Sequence, residues 1–262
     1  MNLHEFPILE FDDNSEAIIE PVPYKKVKNI PQHAVICYFK DVIDDLLQAK
    51  KIVSIQTEEP GLNLHPINVA ALQPIYLFKT KNAPIVVFFP GIGAPVAAAT
   101  FEEVIALGCR KFICCGSAGL LDKDIAKGHI LIPTSAVRDE GTSYHYLRPT
   151  REVEASPEGI LALEDTLRLH NYKYLLTKTW TIDAIYRETL SKRQLRKSEQ
   201  CLTVEMEAAA LFAVAQFRKV IVAQVLYGSD DISGNTWDVL EVERKQIRET
   251  LFWLAVEACL RL

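Results

Sequence analysis

Short apolar runs alternate along the chain with stretches in which apolar residues recur at helical spacing. This alternation is typical of an α/β fold built on a largely parallel or mixed sheet. Residues 1–32 differ, because they are mixed acidic and proline-containing with weak periodicity. They are predicted as an N-terminal arm. With neither an internal repeat nor a low-complexity linker visible, residues 33–262 are predicted as a single domain.

The pattern places individual elements along that domain. Helices are predicted at Val42–Ala49, Ala97–Leu107, Pro157–His170, Glu205–Phe217 and Glu241–Leu260, and the second of them ends at Gly108. Strands are predicted at His33–Phe39, Ile75–Lys79, Pro84–Phe89, Lys111–Cys115, His129–Pro133, Tyr174–Thr179 and Val220–Leu226, with Thr80–Ala83 as a hairpin turn.

Four segments that follow predicted strands are rich in Gly, Ser, Asp or Glu, and the carboxyl ends of strands are where α/β sheets bind ligands. They are Gly91–Pro95, Gly116–Gly119, Arg138–Tyr146 and Tyr227–Asp231. The first lacks the third glycine of a dinucleotide fingerprint, whose place is taken by Val96. The second reads G-S-A-G rather than G-x-S-x-G, which argues against a hydrolase nucleophile elbow. A simple turn is the alternative for the first two segments and a solvated loop for the third; for the fourth it is the capping of a helix.

Two pairs of acids lie beside predicted buried elements. Asp230 and Asp231 follow the apolar run Val220–Leu226, and Glu205 and Glu207 flank Met206 at the start of an apolar helix. An acid in such a place can simply cap a helix or interact with its dipole. It can also act as a general acid, which needs a partly desolvated carboxyl.

Composition narrows the classes of function. The net charge is −5 and the 29 Lys and Arg are scattered, so no basic patch points to nucleic acid. No window approaches the roughly 20 apolar residues that span a bilayer, and residues 1–20 do not resemble a signal peptide. The six cysteines form no C-x-x-C pair, so no metal is implied. We expect a cytoplasmic protein with reduced, buried thiols.

The segments Gly91–Pro95, Gly116–Gly119, Val204–Glu207 and Ser229-Asp230, in this order, resemble the nucleoside phosphorylase superfamily. That superfamily contains hexameric purine nucleoside phosphorylases, uridine phosphorylases and methylthioadenosine/adenosylhomocysteine nucleosidases. The resemblance covers roughly residues 33–260. It implies a three-layer α/β fold whose central mixed sheet, partly barrel-like, is flanked by helices. It also implies a homo-oligomer, a dimer or a hexamer.

The resemblance further implies that the chain cleaves the N-glycosidic bond of a purine or pyrimidine nucleoside with phosphate as co-substrate and no cofactor. Glu207 would hold the ribose hydroxyls, Met206 would pack on the sugar, and Asp230 would protonate the leaving base. The catalytic pair is therefore Glu207 and Asp230. The other substrate contacts that the resemblance implies are Gly91, Gly93, Ser117, Ala118, Gly119, Ile185, Tyr186, Val204, Glu205 and Met206.

The segments that bind phosphate in the family differ in this chain. The early G-D-P-x-R loop is replaced by Cys37–Ile43, with Ile43 about where the arginine belongs, and Cys114 takes the place of a second arginine. Phosphate loses much of its binding without a bidentate arginine. Candidates for a phosphate-binding or supporting role are Lys40, Arg138, Glu140, His145 and Arg187.

Two alternatives therefore stay open: a nucleosidase that uses water, and a non-catalytic nucleoside-binding homologue. The identity of the base, purine or pyrimidine, also stays open. Asp230 favours a purine, whereas Arg138–Tyr146 resembles the uridine phosphorylase branch.

Overall fold

The computed structural model describes residues 3–21, 29–55, 74–125, 128–239 and 244–262. In chain order its elements are β1 (His33–Cys37), α1 (Lys40–Gln48), β2 (Ile52–Ser54), β3 (Ile75–Lys79), β4 (Pro84–Phe88), α2 (Ala94–Leu107), β5 (Lys111–Leu120), β6 (Ile130–Asp139), β7 (Glu152–Glu154), α3 (Pro157–Leu169), β8 (Tyr174–Ile182), α4 (Leu190–Ser198), β9 (Cys201–Glu205), α5 (Ala208–Arg218), β10 (Ile221–Asp231), β11 (Asp238–Val239) and α6 (Arg244–Arg261).

The strands form one mixed sheet in the order β11-β10-β6-β8-β9-β5-β1-β4-β3-β2, with β7 paired to β6. Strand β10 also pairs with β5, so that β5, β10, β6, β8 and β9 close into a barrel. Strand β1 runs parallel to both β4 and β5 and joins the barrel to the open part of the sheet. The predicted mixed, partly barrel-like sheet is confirmed.

Helices cover both faces of this sheet, which gives the three predicted layers. Alternate residues of β1 face opposite ways: Val35 and Cys37 belong to a core with α1, α3 and α6, whereas Ala34 and Ile36 belong to a core with α2 and α5. This follows from the two-residue period of a strand. Both helices of the second layer are rich in alanine, which lets them lie close to the sheet.

Several segments predicted as turns are the second halves of long strands. Gly116–Gly119 lies within β5, Arg138 and Asp139 end β6, and Tyr227–Asp231 lies within β10. They stay extended because barrel closure gives them partners: Gly119 pairs with Val204 of β9, and Asp230 pairs with Gly119. These parts of the predicted segments are therefore strand ends rather than loops, whereas Gly91–Gly93 and residues 140–146 lie outside the strands.

Other boundaries also differ from the predictions. Glu205 ends β9 and α5 begins at Ala208, so Glu205 is not helical. Helix α2 begins at Ala94, with Pro95 in its first turn, where its missing N–H costs nothing. The predicted start of the closing helix at Glu241 lies outside the described residues. The sequence pattern missed β2, β7, β9, β11 and α4.

The N-terminal arm can be compared with its prediction only in part, because residues 1–2 and 22–28 lie outside the described ranges. Residues 3–21 are mostly exposed and contain one short 3-10 turn, Pro7–Leu9. Within the described parts of the chain, no helix has the length and apolar character needed to cross a membrane.

Candidate active site

A cavity of about 500 Å³ opens where the ends of β5, β9 and β10 meet. The predicted residues that line it are Ser117, Ala118, Gly119, Ile185, Tyr186, Val204, Glu205, Met206, Glu207 and Asp230. The structure therefore brings together, from four separate segments, nearly all the residues expected at the sugar and the base.

Glu205 holds the turn between β9 and α5 in place. Its Oε2 accepts hydrogen bonds from the backbone N–H groups of Glu207 (2.7 Å) and Ala208 (2.6 Å), and its Oε1 accepts one from the Thr181 hydroxyl (2.6 Å). These bonds satisfy N–H groups at the start of α5 that have no partner within the helix. Glu205 therefore fixes the positions of Met206 and Glu207.

Glu207 is buried, and its Oε1 accepts a hydrogen bond of 2.6 Å from the backbone N–H of Gly93. Gly91 and Gly93 both have positive φ (91° and 95°), which glycine adopts without strain. A Cβ on Gly91 would lie 2.3 Å from Val96 Cγ1, so this loop also excludes side chains by space. The side chain of Ile92, between the two glycines, lines the cavity.

Burial is the main cause of the raised pKa values of Glu205 and Glu207. Desolvation raises the pKa of Glu207, and the neighbouring Glu205 carboxylate raises it further. Desolvation also raises the pKa of Glu205, while its hydrogen bonds from Thr181 and the backbone oppose that rise. A positive charge that develops in the cavity would favour the ionised form of Glu207. The site is therefore suited to stabilising a cation.

Two buried polar atoms near this acid pair have no partner among the described residues: the Tyr38 hydroxyl and Gln224 Oε1. Both residues line the cavity, and the Tyr38 ring lies against Gly116, where a Cβ would be 3.3 Å from it. Burial, followed by the charge of Glu207, raises the pKa of Tyr38. Unpaired buried polar atoms are costly, so these two are suited to a bound polar group or a water molecule.

At another part of the cavity wall, Asp230 is held by two donors. Ser229 Oγ donates to its Oδ1 (2.7 Å) and the Trp237 indole N–H donates to its Oδ2 (3.0 Å). Glu188 lines the same cavity, and its carboxyl interacts electrostatically with Asp230. The predicted base-contact residues Ile185 and Tyr186 lie at the exposed mouth, with Trp237.

The candidates for phosphate do not line this cavity. Lys40 is exposed and lies over the Phe89 ring, and Arg187 is exposed beside the mouth. His145 lies in a separate groove between the N-terminal arm and α2. Ile43 and Cys114, which stand where the family has arginines, are both buried in the core.

Arg138 and Glu140 instead brace the segment after β6. The Arg138 guanidinium donates to the Ser143 hydroxyl, the Thr150 hydroxyl and the carbonyls of Leu147 and Arg148. Glu140 accepts hydrogen bonds from the Ser143 backbone N–H (2.9 Å) and from the Ser143 hydroxyl. Both side chains are buried, so their role in this structure is to hold the segment together.

Sequence reasoning missed Tyr38, Glu188, Gln224 and Trp237 as residues of the site. Gln224 had a usable signal, since it is the one polar residue in the apolar run Val220–Leu226. Glu188 lies two residues past Tyr186, at the end of a segment already singled out. Tyr38 lies inside the altered phosphate loop, and Trp237 had no local signal.

Metal-binding clusters and cysteine thiols are the remaining candidates for chemistry in this protein. Within the described ranges, no group of three or more His, Cys, Asp or Glu side chains is placed to hold a metal ion. All six cysteines are buried and unpaired. Burial raises the pKa of Cys114, and Glu207 raises it further, so that this thiol stays protonated and unreactive.

Comparison with known proteins identifies the family and the fold. Residues 32–252 match the family described as the phosphorylase superfamily. A uridine phosphorylase of Thermococcus kodakarensis is 37% identical over 108 residues, which are 41% of this chain and 39% of that protein. The matched part is thus about two fifths of that relative's length, and the match alone does not transfer its activity.

Two solved structures share the fold. A purine nucleoside phosphorylase from Toxoplasma gondii has a TM-score of 0.73 at 19% identity and covers 88% of this chain and 91% of its own. An AMP nucleosidase from Bacteroides thetaiotaomicron has a TM-score of 0.69 at 18% identity and covers 88% and 87%. At such low identity the likeness concerns the fold alone. Because the family match extends over most of the sequence, the chain belongs to the phosphorylase superfamily.

Proposed function

We propose that this chain cleaves the N-glycosidic bond of a purine or pyrimidine nucleoside, with Glu207 at the sugar and Asp230 at the base. The observation that carries the proposal is the placement of Glu207. A buried carboxylate, fixed by the Gly93 N–H and presented by a turn that Glu205 braces, shares one cavity with a second acid. A site that only bound a neutral nucleoside would not need such costly buried charge.

The chemistry follows from what the sugar becomes as the bond breaks. The anomeric carbon gains positive charge in an oxocarbenium-like transition state, as in other glycoside cleavage. The Glu207 carboxylate can stabilise that charge more than it stabilises the neutral substrate, which is the requirement for catalysis. Its oxygens also suit the ribose hydroxyl donors, and Met206 offers an apolar surface to the sugar ring.

Phosphate is the proposed acceptor of the sugar, because the relatives named above include a uridine phosphorylase and a purine nucleoside phosphorylase. The Ser117 hydroxyl, on the cavity wall, is a donor that phosphate could use. The products would be the free base and a sugar 1-phosphate.

A second candidate, hydrolysis, is favoured by the charges of the cavity. Among the described residues that line it there is no Arg, Lys or His, whereas there are the acids Glu188, Glu205, Glu207 and Asp230. A phosphate dianion about 6 Å from one ionised carboxylate would be repelled by about 5.5 kcal/mol at an effective dielectric constant of about 20. Water has no such penalty, and the unpaired Tyr38 hydroxyl and Gln224 Oε1 are suited to bind it.

One experiment separates these outcomes. Purified protein is incubated with a panel of purine and pyrimidine nucleosides, with and without inorganic phosphate, and the free base and the sugar product are quantified by chromatography. The Glu207→Gln variant, purified in parallel, controls for phosphorylase carried over from the expression host. Base release with sugar 1-phosphate supports phosphorolysis, and release with free sugar supports hydrolysis. Nucleoside binding without any release would overturn the proposal in favour of a non-catalytic homologue.

We further propose that the protein is a cytoplasmic homo-oligomer. The exposed apolar side chains Ile92, Tyr186 and Trp237 at the mouth of the cavity support an assembly in which a second copy covers them. A monomeric mass in light scattering at assay concentration would contradict it.

A further inference from the structure

The carboxyl of Glu188 is a charged group of the cavity that the proposed function has not yet used. Glu188 follows the short 3-10 helix Ile185–Arg187, and its backbone N–H donates to the Ile185 carbonyl. Its side chain is half-buried and lines the same cavity as Asp230. Among the described residues, its carboxyl has neither a hydrogen-bond donor nor a basic partner. A glutamate in that position is expensive to ionise, unlike one on an open surface.

Asp230 differs, because both of its oxygens already accept a hydrogen. Ser229 Oγ donates to Oδ1 at 2.7 Å and Trp237 Nε1 donates to Oδ2 at 3.0 Å. The single hydrogen of Ser229 Oγ has one other acceptor within reach, the Ala118 carbonyl at 3.3 Å. Asp230 is therefore arranged as an acceptor, which can still receive an N–H of the base on its remaining lone pairs.

We propose that Glu188 is the acid that protonates the leaving base, and that the anionic Asp230 beside it keeps the proton on Glu188 until the glycosidic bond breaks. This rests on the proposed glycosidic cleavage. In the step, the bond between the anomeric carbon and the base nitrogen breaks, and its electron pair stays with the base. The proton of the Glu188 carboxyl passes to the base. The oxygen that bonds to the carbon comes from phosphate, or from a water molecule that gives up one proton to solvent. Glu188, left as a carboxylate, regains a proton from solvent after the base departs.

The charges around Glu188 agree with this role. Burial, and after it the charge of Asp230, raises the pKa of Glu188 to about 7, near the value at which an acid both holds and releases a proton readily. Arg193 of α4 donates from its guanidinium to the carbonyls of Ile232 and Gly234. Arg187, next in the chain, is exposed. Asp230 is thus the neighbouring charge that acts on Glu188.

The test compares Glu188→Gln, Glu188→Asp and Asp230→Asn with the unmodified protein over pH 5–9, using the best nucleoside of the panel. We expect Glu188→Gln to lower kcat by about 10²–10⁴-fold and to abolish the fall in rate on the alkaline side, because it removes the acid. Glu188→Asp should restore part of the rate together with that alkaline fall. Asp230→Asn should keep the alkaline fall but move it to lower pH, because Glu188 loses its anionic neighbour.

A second substrate separates proton donation from a structural role. The 4-nitrophenolate of 4-nitrophenyl β-D-ribofuranoside leaves without a proton, so Glu188→Gln should cleave it within about tenfold of the unmodified rate. An equal loss of kcat on both substrates in Glu188→Gln would overturn the inference. So would an unchanged rate of nucleoside cleavage in that variant. A third contrary result is a fall in rate at alkaline pH that only Asp230→Asn abolishes. Glu158→Gln, an exposed glutamate of α3, is the matched control and should behave as unmodified protein. Failure of the unmodified protein to release base from any nucleoside would instead overturn the proposed function itself.

Discussion

Replacing Glu205 tests whether this residue holds the turn between β9 and α5 while Glu207 acts on the sugar. Glu205→Ala removes the acceptor of three hydrogen bonds, two of them from the buried backbone N–H groups of Glu207 and Ala208. Each buried donor left unpaired costs about 1–3 kcal/mol, so the two N–H groups together lower the free energy of unfolding by about 2–6 kcal/mol. The turn that presents Glu207 should loosen, and turnover should fall with stability.

Glu205→Gln should behave differently, because a single oxygen, Oε2, accepts both backbone N–H groups. The amide oxygen can take that place while the amide nitrogen donates to the Thr181 hydroxyl, and the expected cost is only about 1 kcal/mol. The substitution also removes a negative charge beside Glu207, whose pKa is raised first by burial and then by Glu205. The pKa of Glu207 should therefore fall.

Urea unfolding measures the stability of both variants, and the dependence of kcat/KM on pH reports the ionisation of Glu207 in the free enzyme. The acidic limb of that profile should move to lower pH in Glu205→Gln. Glu158→Ala, on the exposed face of α3, is the control for losing a glutamate. The reasoning is refuted if Glu205→Ala is as stable as the unmodified protein, or if the acidic limb of Glu205→Gln stays where it was.

Three further results are expected. Glu207→Gln should lower kcat by about 10²–10³-fold in the base-release assay, because it removes the carboxylate that stabilises the sugar cation; an unchanged kcat would contradict this role. The free energy of unfolding should fall as pH rises from about 5 to 8, since the folded chain holds protons on Glu205 and Glu207 that the unfolded chain has released. Urea unfolding at several pH values should show a smaller fall in the free energy of unfolding for Glu207→Gln than for the unmodified protein. Equal dependence on pH in the two proteins would contradict this expectation. Arg138→Lys should lower stability by about 2–4 kcal/mol in urea unfolding, because lysine cannot replace the four hydrogen bonds of the guanidinium. The kcat of this variant should stay within about threefold of the unmodified value. A loss of kcat without any loss of stability would instead indicate that Arg138 acts in the active site.

The sequence was sufficient for those parts of the fold that local pattern determines. Apolar runs predicted the central strands, and Gly108 predicted the end of α2, because burial and helix termination act on neighbouring residues. The continuation of β5 through Gly116–Gly119 was not predictable in this way. Its small residues are typical of a turn, and what keeps them extended is pairing with Val204, which is distant in sequence.

The same distinction applies to the site. Glu207 and Asp230 lie in recognisable segments, so their place in one cavity was predicted before the structure. The functions of Glu205 and Glu188 depend on what surrounds them in space. Nothing local shows that Glu205 accepts three hydrogen bonds, or that Asp230 is the charge beside Glu188.

Closure of the barrel has a consequence for the design of inhibitors. Gly119 is paired on one side with Val204 and on the other with Asp230, so the backbone at the sugar and base contacts cannot shift without breaking two ladders of hydrogen bonds. The mouth, formed by the exposed side chains Ile185, Tyr186 and Trp237, lies outside these ladders. A compound that fills only the barrel end should therefore meet a fixed backbone, whereas groups that reach the mouth should meet side chains that can adjust to them.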